Sequence, residues 1–454
     1  MGRKNIEKFS VWYYLLKVYA RAMHYMYYGR LRVRGKEHIP YGEPMIFAPN
    51  HQNALMDALA VLFTIPRQMV FLARADIFKR GFFSAILTFM KILPIYRIRD
   101  GYSSLQSNSE IFDKTVEVIR AGRPLVILPE GNHEGIRRLR PLKKGIARIA
   151  FQTEEACNFS LGINIIPVGL DYSRYEKSGS ELLIQYGLPI KVNDYAAIYQ
   201  ENPAKGVNEL IAELKSRISE LMIDIHNEEN YEMIDIIRRS YAHTILKHKH
   251  LKLTPWNRHA AEIETIRILE AYLADAPDTA LVDSLDASAK DYRLALGYNK
   301  LQFRNPEEGR WPWWKIVGQS ILFLLALPLF VIGFINNIFP VLIPKSIVKR
   351  IKDVQFRSSF KFGVSILTFP VFYGIQVLLF CVFVPLPPIY TLWYFISLPI
   401  TGVIAVRYRL FFRRFLSRLR YRFLFYTAPS QWHRIQALRD QILGGMALVV
   451  SKVQ

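Results

Sequence analysis

Short apolar runs alternate with amphipathic stretches between residues 31 and 200. Leu105–Ala121 and Gly145–Glu155 carry apolar residues at helical spacing. The apolar runs have the length of buried strands and end in polar or turn residues; they are MIFAPN, QMVFLAR, ILPIYRI, PLVILPEG and INIIPVGL. Strands that alternate with helices predict an α/β domain with a mixed, mostly parallel sheet flanked by helices. Functional residues of such sheets gather beyond the carboxyl ends of the strands.

Two zones outside this domain have helical patterns. Residues 1–30 combine Tyr and Trp with Lys and Arg in one segment. That mixture favours an amphipathic helix at a membrane–water interface, with burial against the domain as the alternative. Residues 201–310 show apolar positions at three- and four-residue spacing, as in Ala204–Asn227 and Arg258–Asp275, and predict a helical region.

The last zone, residues 311–454, has the pattern of a membrane segment with an Arg-rich tail. Three long stretches contain no charged residue: Ile316–Ile335, Gly363–Val384 and Ile389–Val406. Because a bilayer core requires about 20 apolar residues per helix, we expect membrane-spanning or re-entrant segments. The proline-rich break at residues 385–388 predicts a tight hairpin, and Asn336-Asn337 allows a re-entrant hairpin after the first stretch.

The charge of the chain agrees with a membrane partner. Lys and Arg number 60 against 38 Asp and Glu, a net charge of +22, and from residue 311 onward 17 basic residues accompany two acidic ones. Cations beside apolar spans bind anionic lipid with roughly 1 kcal/mol each, and the positive-inside rule places them, together with the main domain, on the cytoplasmic side. No zinc spacing or other signature of nucleic-acid binding occurs, so we expect no nucleic-acid partner.

One His and one Asp follow the first buried strand of the α/β region. His51 comes directly after MIFAPN, and Asp57 lies six positions further along. Histidine suits general base work near neutral pH, and a carboxylate on its other ring nitrogen fixes the tautomer. Without a nearby Ser or Cys nucleophile, the pair predicts direct acyl or phosphoryl transfer to a substrate hydroxyl. Since six helical positions turn by about 600°, His51 must precede the helix or the loop must bulge.

Cations are dense around the later strand ends. Arg97 and Arg99 follow the run ILPI, and residues 137–144 contain Arg and Lys after the run that ends in Glu130. Arg binds phosphate as a bidentate fork and Lys as a point charge, so the cluster favours a phosphorylated substrate. A solvated basic loop and contact with anionic lipid are the alternatives. The histidines of residues 243–259 lack the Cys and carboxylates of a metal site, and we expect no metal.

Three motifs resemble those of one known family in the same order. Asn50-His51 with Asp57, then Pro129-Glu130-Gly131, then Ile166-Pro167-Val168 are similar to the motifs of the glycerolipid acyltransferases over roughly residues 30–200. That family transfers a fatty acyl group from a thioester to glycerol-3-phosphate or lysophosphatidate. The resemblance implies a membrane-bound O-acyltransferase of phospholipid biosynthesis that needs no cofactor. Its acyl donor would be acyl coenzyme A or acyl-acyl carrier protein.

The resemblance also implies roles for individual residues. His51 would deprotonate the acceptor hydroxyl, Asp57 would orient it, and Arg97 would contact the acceptor phosphate. Glu130 and Gly131 would line the acceptor pocket, and the apolar motif at 166–168 would lie near the acyl donor. The remaining candidate substrate-binding residues are Asn53, Arg74, Asn132 and Lys143.

Two departures from the family pattern change these expectations. Five residues rather than four separate His51 from Asp57, as in the fungal-type glycerol-3-phosphate and dihydroxyacetone-phosphate acyltransferases, which also have C-terminal apolar spans. Asn132-His133 replaces the usual Thr-Arg, so a phosphate-binding cation would come from Arg137, Arg138 or Lys143, and His133 becomes a rival base. We expect glycerol-3-phosphate as acceptor. Lysophosphatidate, another lipid acceptor and a non-catalytic membrane scaffold are the alternatives.

Overall fold

The computed structural model describes residues 6–78, 81–95, 103–351 and 353–453. It divides into two compact units. The first comprises Met1–Met222 and Pro340–Phe372, and the second comprises Ile223–Phe339 and Tyr373–Gln454. This division differs from the four consecutive zones expected from the sequence, because segments distant along the chain share one hydrophobic core.

The first unit is built on one mixed sheet. Within the described ranges its strands are β1 (Arg30–Arg34), β2 (Met45–Pro49), β3 (Val70–Arg74), β4 (Ile92–Ile95), β5 (Leu125–Val126), β6 (Asn164–Tyr172), β7 (Glu181–Tyr186) and β8 (Ile190–Lys191). Their order is β1-β7-β6-β2-β5-β3-β4, with β8 also on β6. Strands β2 to β6 are mutually parallel, whereas β7 and β8 run antiparallel to β6. The predicted mostly parallel α/β sheet is confirmed.

Helices cover both faces of this sheet. They are α1 (Val11–Tyr27), α2 (Leu55–Thr64), α3 (Gly81–Phe89), α4 (Ser103–Arg120), α5 (Gly145–Glu155), α6 (Ala196–Glu201) and α7 (Pro203–Leu221). Strand β2 is buried along its whole length. Ile46 and Ala48 face a core cluster shared with α4, α5 and α7, while Met45 and Phe47 face a second cluster shared with α1 and α2. This double burial explains the continuous apolar run in its sequence.

Helix α1 has two different apolar faces. Tyr13 and Tyr27 are buried in the core cluster with α2, as the burial alternative expected. On the opposite face Trp12, Leu15 and Val18 are exposed, and Trp12 has 76% of its surface open. The exposed face has the composition of an interfacial helix, so location at a membrane surface stays a prediction.

The second unit contains a helical bundle. Its helices are α8 (Tyr231–His248), α9 (Pro255–Ala274), α10 (Thr279–Tyr298), α11 (Arg304–Glu308) and α15 (Pro429–Val453). Ile435, Ile442 and Met446 of α15 share one buried cluster with α8, α9 and α10. The last helix therefore packs in the bundle, although the sequence grouped it with the C-terminal apolar segments.

Three described helices are long and apolar enough to cross a membrane by length and composition: α12 (Trp313–Val348), α13 (Phe356–Phe383) and α14 (Pro388–Thr427). The rings of Phe380 in α13 and Tyr394 in α14 stack with their centroids 4.5 Å apart, which confirms the predicted hairpin. The re-entrant hairpin that Asn336-Asn337 would have allowed is not formed there, because α12 continues through both residues. The Asn337 amide donates to Gly333 O (2.8 Å) and accepts from the Tyr373 hydroxyl (2.6 Å), so its polar group is satisfied within continuous helix.

Candidate active site

Polar residues lie at the carboxyl ends of three neighbouring strands, at one edge of the sheet. Strand β2 lies between β5 and β6, and all three are parallel. His51 follows β2, Glu130 follows β5, and Tyr172 is the last residue of β6. Because their carboxyl ends share an edge, these side chains and the first turn of α2 converge there.

The structure brings His51 and Asp57 into direct contact. The His51 Nδ1 atom lies 2.9 Å from Asp57 Oδ2. Helix α2 begins at Leu55, so Asp57 is in its first turn and His51 precedes the helix. Between them Ala54 has φ 46° and ψ −128°, a backbone conformation that strains a residue with a Cβ atom. The longer spacing is therefore accommodated by a sharp turn before the helix.

The Asp57 carboxylate is fully buried and holds the loop that contains His51. Its Oδ2 atom accepts the backbone N–H groups of Gln52 (2.8 Å) and Asn53 (2.6 Å), and Oδ1 accepts the Tyr172 hydroxyl (2.7 Å). Burial and the Asp57 charge hold the pKa of Tyr172 well above its usual range, so the phenol stays a donor. A carboxylate at Nδ1 fixes the proton on that nitrogen and leaves Nε2 as the acceptor.

Glu130 joins the loop after β5 to the loop after β2. One carboxylate oxygen accepts the backbone N–H of His51, and the other accepts the N–H of Arg140 at 3.1 Å. Its side chain is 2% exposed, and burial raises its pKa to about 8. Since both oxygens bond to the backbone, we interpret Glu130 as a positioning residue more than a direct substrate ligand. Gly131 follows with φ 68°, which favours glycine in this turn.

The predicted cations have different surroundings. Arg97 lies outside the described residues. Arg137 is buried and donates to Tyr172 O (2.6 Å). Its guanidinium therefore has a structural role and is a weaker candidate for binding phosphate. Arg74 is exposed and pairs with Asp76. Lys143 is exposed on the loop after β5, like Asn132, which makes it the more accessible phosphate-binding candidate of that loop.

His133 lies beside His51. The ring centroids are 5.2 Å apart, and the other side of the His133 ring meets Phe356 at 4.7 Å. Burial, and then the charge of a protonated His51, lower the pKa of His133. Sequence patterns named His133 but gave no signal for Phe356, which lies more than 200 positions away. Tyr172 was missed as well, although its place at the end of a strand was a usable signal.

Metal ligands are not grouped in the described part of the chain. Within residues 6–78, 81–95, 103–351 and 353–453, no set of three or more His, Cys, Asp and Glu side chains is arranged to hold a metal ion. The expectation that the reaction needs no metal stays a prediction.

Part of the chain matches a known protein family. The family model described as Acyltransferase matches residues 30–171, which include both members of the His51–Asp57 pair. Residues 30–171 form an acyltransferase-family domain. This acyltransferase domain runs from β1 to the penultimate residue of β6 and contains the loops after β2 and β5.

The relatives of this chain have related names. Glycerol-3-phosphate O-acyltransferase 2 of Saccharomyces cerevisiae is 25% identical over 31% of this chain and 19% of its own length. A 1-acyl-sn-glycerol-3-phosphate acyltransferase of Borreliella burgdorferi is 27% identical over 37% of this chain and 62% of its own. The chloroplastic enzyme of that name from Brassica napus is 23% identical over 46% and 56%. The chain thus spans from a fifth to three fifths of these relatives.

A solved structure also matches part of this chain. The 1-acyl-sn-glycerophosphate (LPA) acyltransferase PlsC of Thermotoga maritima is 20% identical, and the match covers 46% of this chain and 81% of that one. The TM-score is 0.32, too low to add to what the strand order already establishes.

Proposed function

We propose that the acyltransferase domain transfers a fatty acyl group from a thioester to the hydroxyl of glycerol-3-phosphate, beside a membrane. The observation that carries this proposal is the His51–Asp57 pair, 2.9 Å apart, at the carboxyl edge of the sheet in an acyltransferase-family domain. The donor is acyl coenzyme A or acyl-acyl carrier protein, and no cofactor takes part. Base catalysis of the acceptor hydroxyl supplies the nucleophile directly.

The proposed reaction needs one proton acceptor that later becomes a proton donor. His51 takes the hydroxyl proton on Nε2, and the acceptor oxygen attacks the carbonyl carbon of the thioester. Asp57 stabilises the imidazolium that forms, because its carboxylate already accepts the proton on Nδ1. Collapse of the tetrahedral intermediate breaks the carbon–sulfur bond. His51 returns its proton to the thiolate, which leaves an ester and a free thiol.

Recognition of the acceptor phosphate rests on cations near the same edge. Lys143 is exposed on the loop after β5, and the family resemblance assigns a phosphate contact to Arg97. Lysophosphatidate carries the same phosphate and is the second candidate acceptor. It is supported by the names of several relatives, which are 1-acyl-sn-glycerol-3-phosphate acyltransferases.

The membrane location rests on two features. Helices α12, α13 and α14 have the length and composition of membrane spans, and α1 exposes Trp12 and other apolar residues. A lipid surface would hold the acyl chains of both donor and product. By the positive-inside rule, the acyltransferase domain lies on the cytoplasmic side.

An acceptor panel tests this function. Full-length protein in phospholipid nanodiscs is given palmitoyl coenzyme A or palmitoyl-acyl carrier protein with glycerol-3-phosphate, lysophosphatidate or dihydroxyacetone phosphate, and the products are identified by mass. We expect a 1-acyl product from glycerol-3-phosphate. Product from lysophosphatidate alone would replace the proposed acceptor, and thioester consumption with no acceptor preference would overturn both assignments.

Loss of the Tyr172 hydroxyl is expected to reduce both activity and stability. Tyr172→Phe removes one donor from Asp57, and hydrogen bonds to charged groups contribute about 1.5–3 kcal/mol, so we expect a loss of free energy of unfolding in that range and a several-fold lower kcat. Tyr186→Phe is the matched control, because that buried hydroxyl bonds Thr64 and not Asp57. Equal effects on kcat in the two variants would contradict the role of Tyr172.

Glu130 is expected to make stability depend on pH. Its pKa is raised in the folded state to about 8, so between about pH 4.5 and 8 the folded state binds more protons than the unfolded state. Stability therefore falls as pH rises through this window, by at most about 1.4 kcal/mol per pH unit from this group. Glu130→Gln removes that slope. Unfolding followed by denaturant at pH 5 to 8.5 measures it, and an unchanged slope in the variant rejects the prediction.

A further inference from the structure

A short segment at the start of α13 contacts both loops of the active site. Gln355, Phe356 and Ser358 belong to the first unit although they lie far beyond the acyltransferase domain in sequence. We call these three residues the clamp. Their partners are Asn53, in the loop after β2, and His133, in the loop after β5.

The first contact reaches the residue that holds Asp57. The Ser358 hydroxyl donates to Asn53 Oδ1 at 2.5 Å, and both residues are 1% exposed. The Asn53 amide also donates to Tyr175 O at 3.2 Å, so the side chain is held at both ends. The backbone N–H of the same Asn53 donates to Asp57 Oδ2. Ser358 therefore fixes the orientation of a residue that directly bonds the catalytic carboxylate.

The second contact holds His133 against His51. The Phe356 ring meets the His133 ring edge-on at 4.7 Å with an interplanar angle of 86°. The Gln355 amide can be placed in two orientations, and only one of them gives both its nitrogen and its oxygen hydrogen-bond partners. In that orientation the nitrogen donates to His133 O (3.0 Å) and Nε2 (3.1 Å), and the oxygen accepts the Gly135 N–H (2.9 Å). The loop beside His51 is thus bound through side chain and backbone.

The start of α13 is itself fixed to the rest of the first unit. Phe362 is 2% exposed, and its ring lies 5.8 Å from His24 and 5.9 Å from Tyr27 of α1. The Tyr19 hydroxyl donates to Ile366 O at 2.9 Å. Because these contacts anchor the helix, the clamp residues are rigid enough to position their partners.

We propose that Ser358, Phe356 and Gln355 are positioning residues that hold the His51–Asp57 loop in its reactive geometry, so that transfer depends on α13. This inference rests on the proposed function. Ala54, in the same loop, has a strained backbone conformation with φ 46°. Such a conformation persists only where surrounding contacts hold it, so this loop requires support from its neighbours. The two loops joined by Glu130 receive that support from outside the acyltransferase domain.

The experiment compares two neighbouring serines in the full-length protein. Ser358→Ala removes the bond to Asn53, whereas Ser359→Ala is the matched control, because the buried Ser359 hydroxyl has no hydrogen-bond partner among the described residues. We expect Ser358→Ala to lower kcat about tenfold, with KM for the thioester within twofold. Amide exchange of Gln52 and Asn53 should accelerate about tenfold, and Ser359→Ala should change neither quantity.

Two further comparisons keep the proposal testable if one variant folds poorly. In an Asn53→Ala background, Ser358→Ala should cause no additional loss of kcat, since its effect passes through Asn53. Phe356→Ala should lower kcat several-fold, and Phe360→Ala, at an exposed position one turn further along α13, should not.

Amide hydrogen exchange tests whether the clamp holds the loop, and enzyme activity tests the proposed function. Unchanged exchange at Gln52 and Asn53 in Ser358→Ala, or equal acceleration in Ser359→Ala, overturns the clamp whatever the enzyme does. Absence of His51-dependent acyl transfer in the wild-type protein overturns the proposed function, and with it the inference that the clamp serves catalysis.

Discussion

His51→Ala is expected to lower kcat for acyl transfer by about 10²–10⁴-fold, the range that removal of a general base produces. The imidazole is the only proton acceptor that the proposed reaction uses, and Asp57 cannot replace it because its carboxylate is fully buried. The His51 side chain is only 14% exposed and bonds Asp57, so its loss should also lower the free energy of unfolding, by about 1.5–3 kcal/mol. Product formation and thermal unfolding are measured on the same preparation.

Two other histidines provide controls for this prediction. His38→Ala, at an exposed position of the same unit, should leave kcat unchanged. His133→Ala should lower kcat only several-fold, as Phe356→Ala does, because His133 lies beside His51 but outside the bond to Asp57. If His133→Ala abolished acyl transfer while His51→Ala remained active, His133 and not His51 would be the general base. Wild-type turnover in His51→Ala would reject the mechanism altogether.

Asp57→Asn is expected to lower kcat on the order of 10³-fold, since replacing the carboxylate of a comparable catalytic pair favours the wrong histidine tautomer. In this chain Oδ2 accepts three N–H groups, from His51, Gln52 and Asn53. An amide nitrogen at that position would face three donors, and a flipped amide would face the Tyr172 hydroxyl instead. The histidine loop should therefore lose order as well as orientation.

The kcat of Asp57→Asn is compared with that of Asp76→Asn, a half-exposed carboxylate that pairs with Arg74. We expect the control to be active at the wild-type level. A decrease of less than tenfold in Asp57→Asn, with retained dependence on His51, would mean that the carboxylate neither orients nor stabilises the imidazole. Retained folding is checked by thermal unfolding, because a buried site with unpaired donors is costly.

The strands and helices of the first unit were largely predictable from local patterns. Apolar runs gave β2, β3, β4, β5 and β6, and the bounds of α5 match the predicted Gly145–Glu155. Strands β1, β7 and β8 were missed. Strand β1 lies at the edge of the sheet, alternates Arg with apolar residues and is only half-buried. A pattern that reflects burial detects a central strand more readily than one at the edge of a sheet.

The site was predictable where its residues follow strand ends. His51, Asp57 and Glu130 were found in this way, and the sequence spacing required His51 to precede the helix, as it does. Tyr172 and the clamp residue Ser358 were not found. Ser358 lies 305 positions from Asn53, and no local pattern reports a contact between segments so far apart.

The residue pattern alone was enough to define the chemistry available to this chain: an imidazole and a carboxylate after a buried strand, cations for a phosphate, and apolar helices for a bilayer. These properties depend on residue type and on neighbours within a few turns of the chain. The grouping of residues 340–372 with the acyltransferase domain, the continuity of α12 and the buried bond of Ser358 became visible only in three dimensions. These three features depend on which apolar faces pack against each other. Packing of that kind joins segments hundreds of residues apart, so no local pattern in the sequence reveals it.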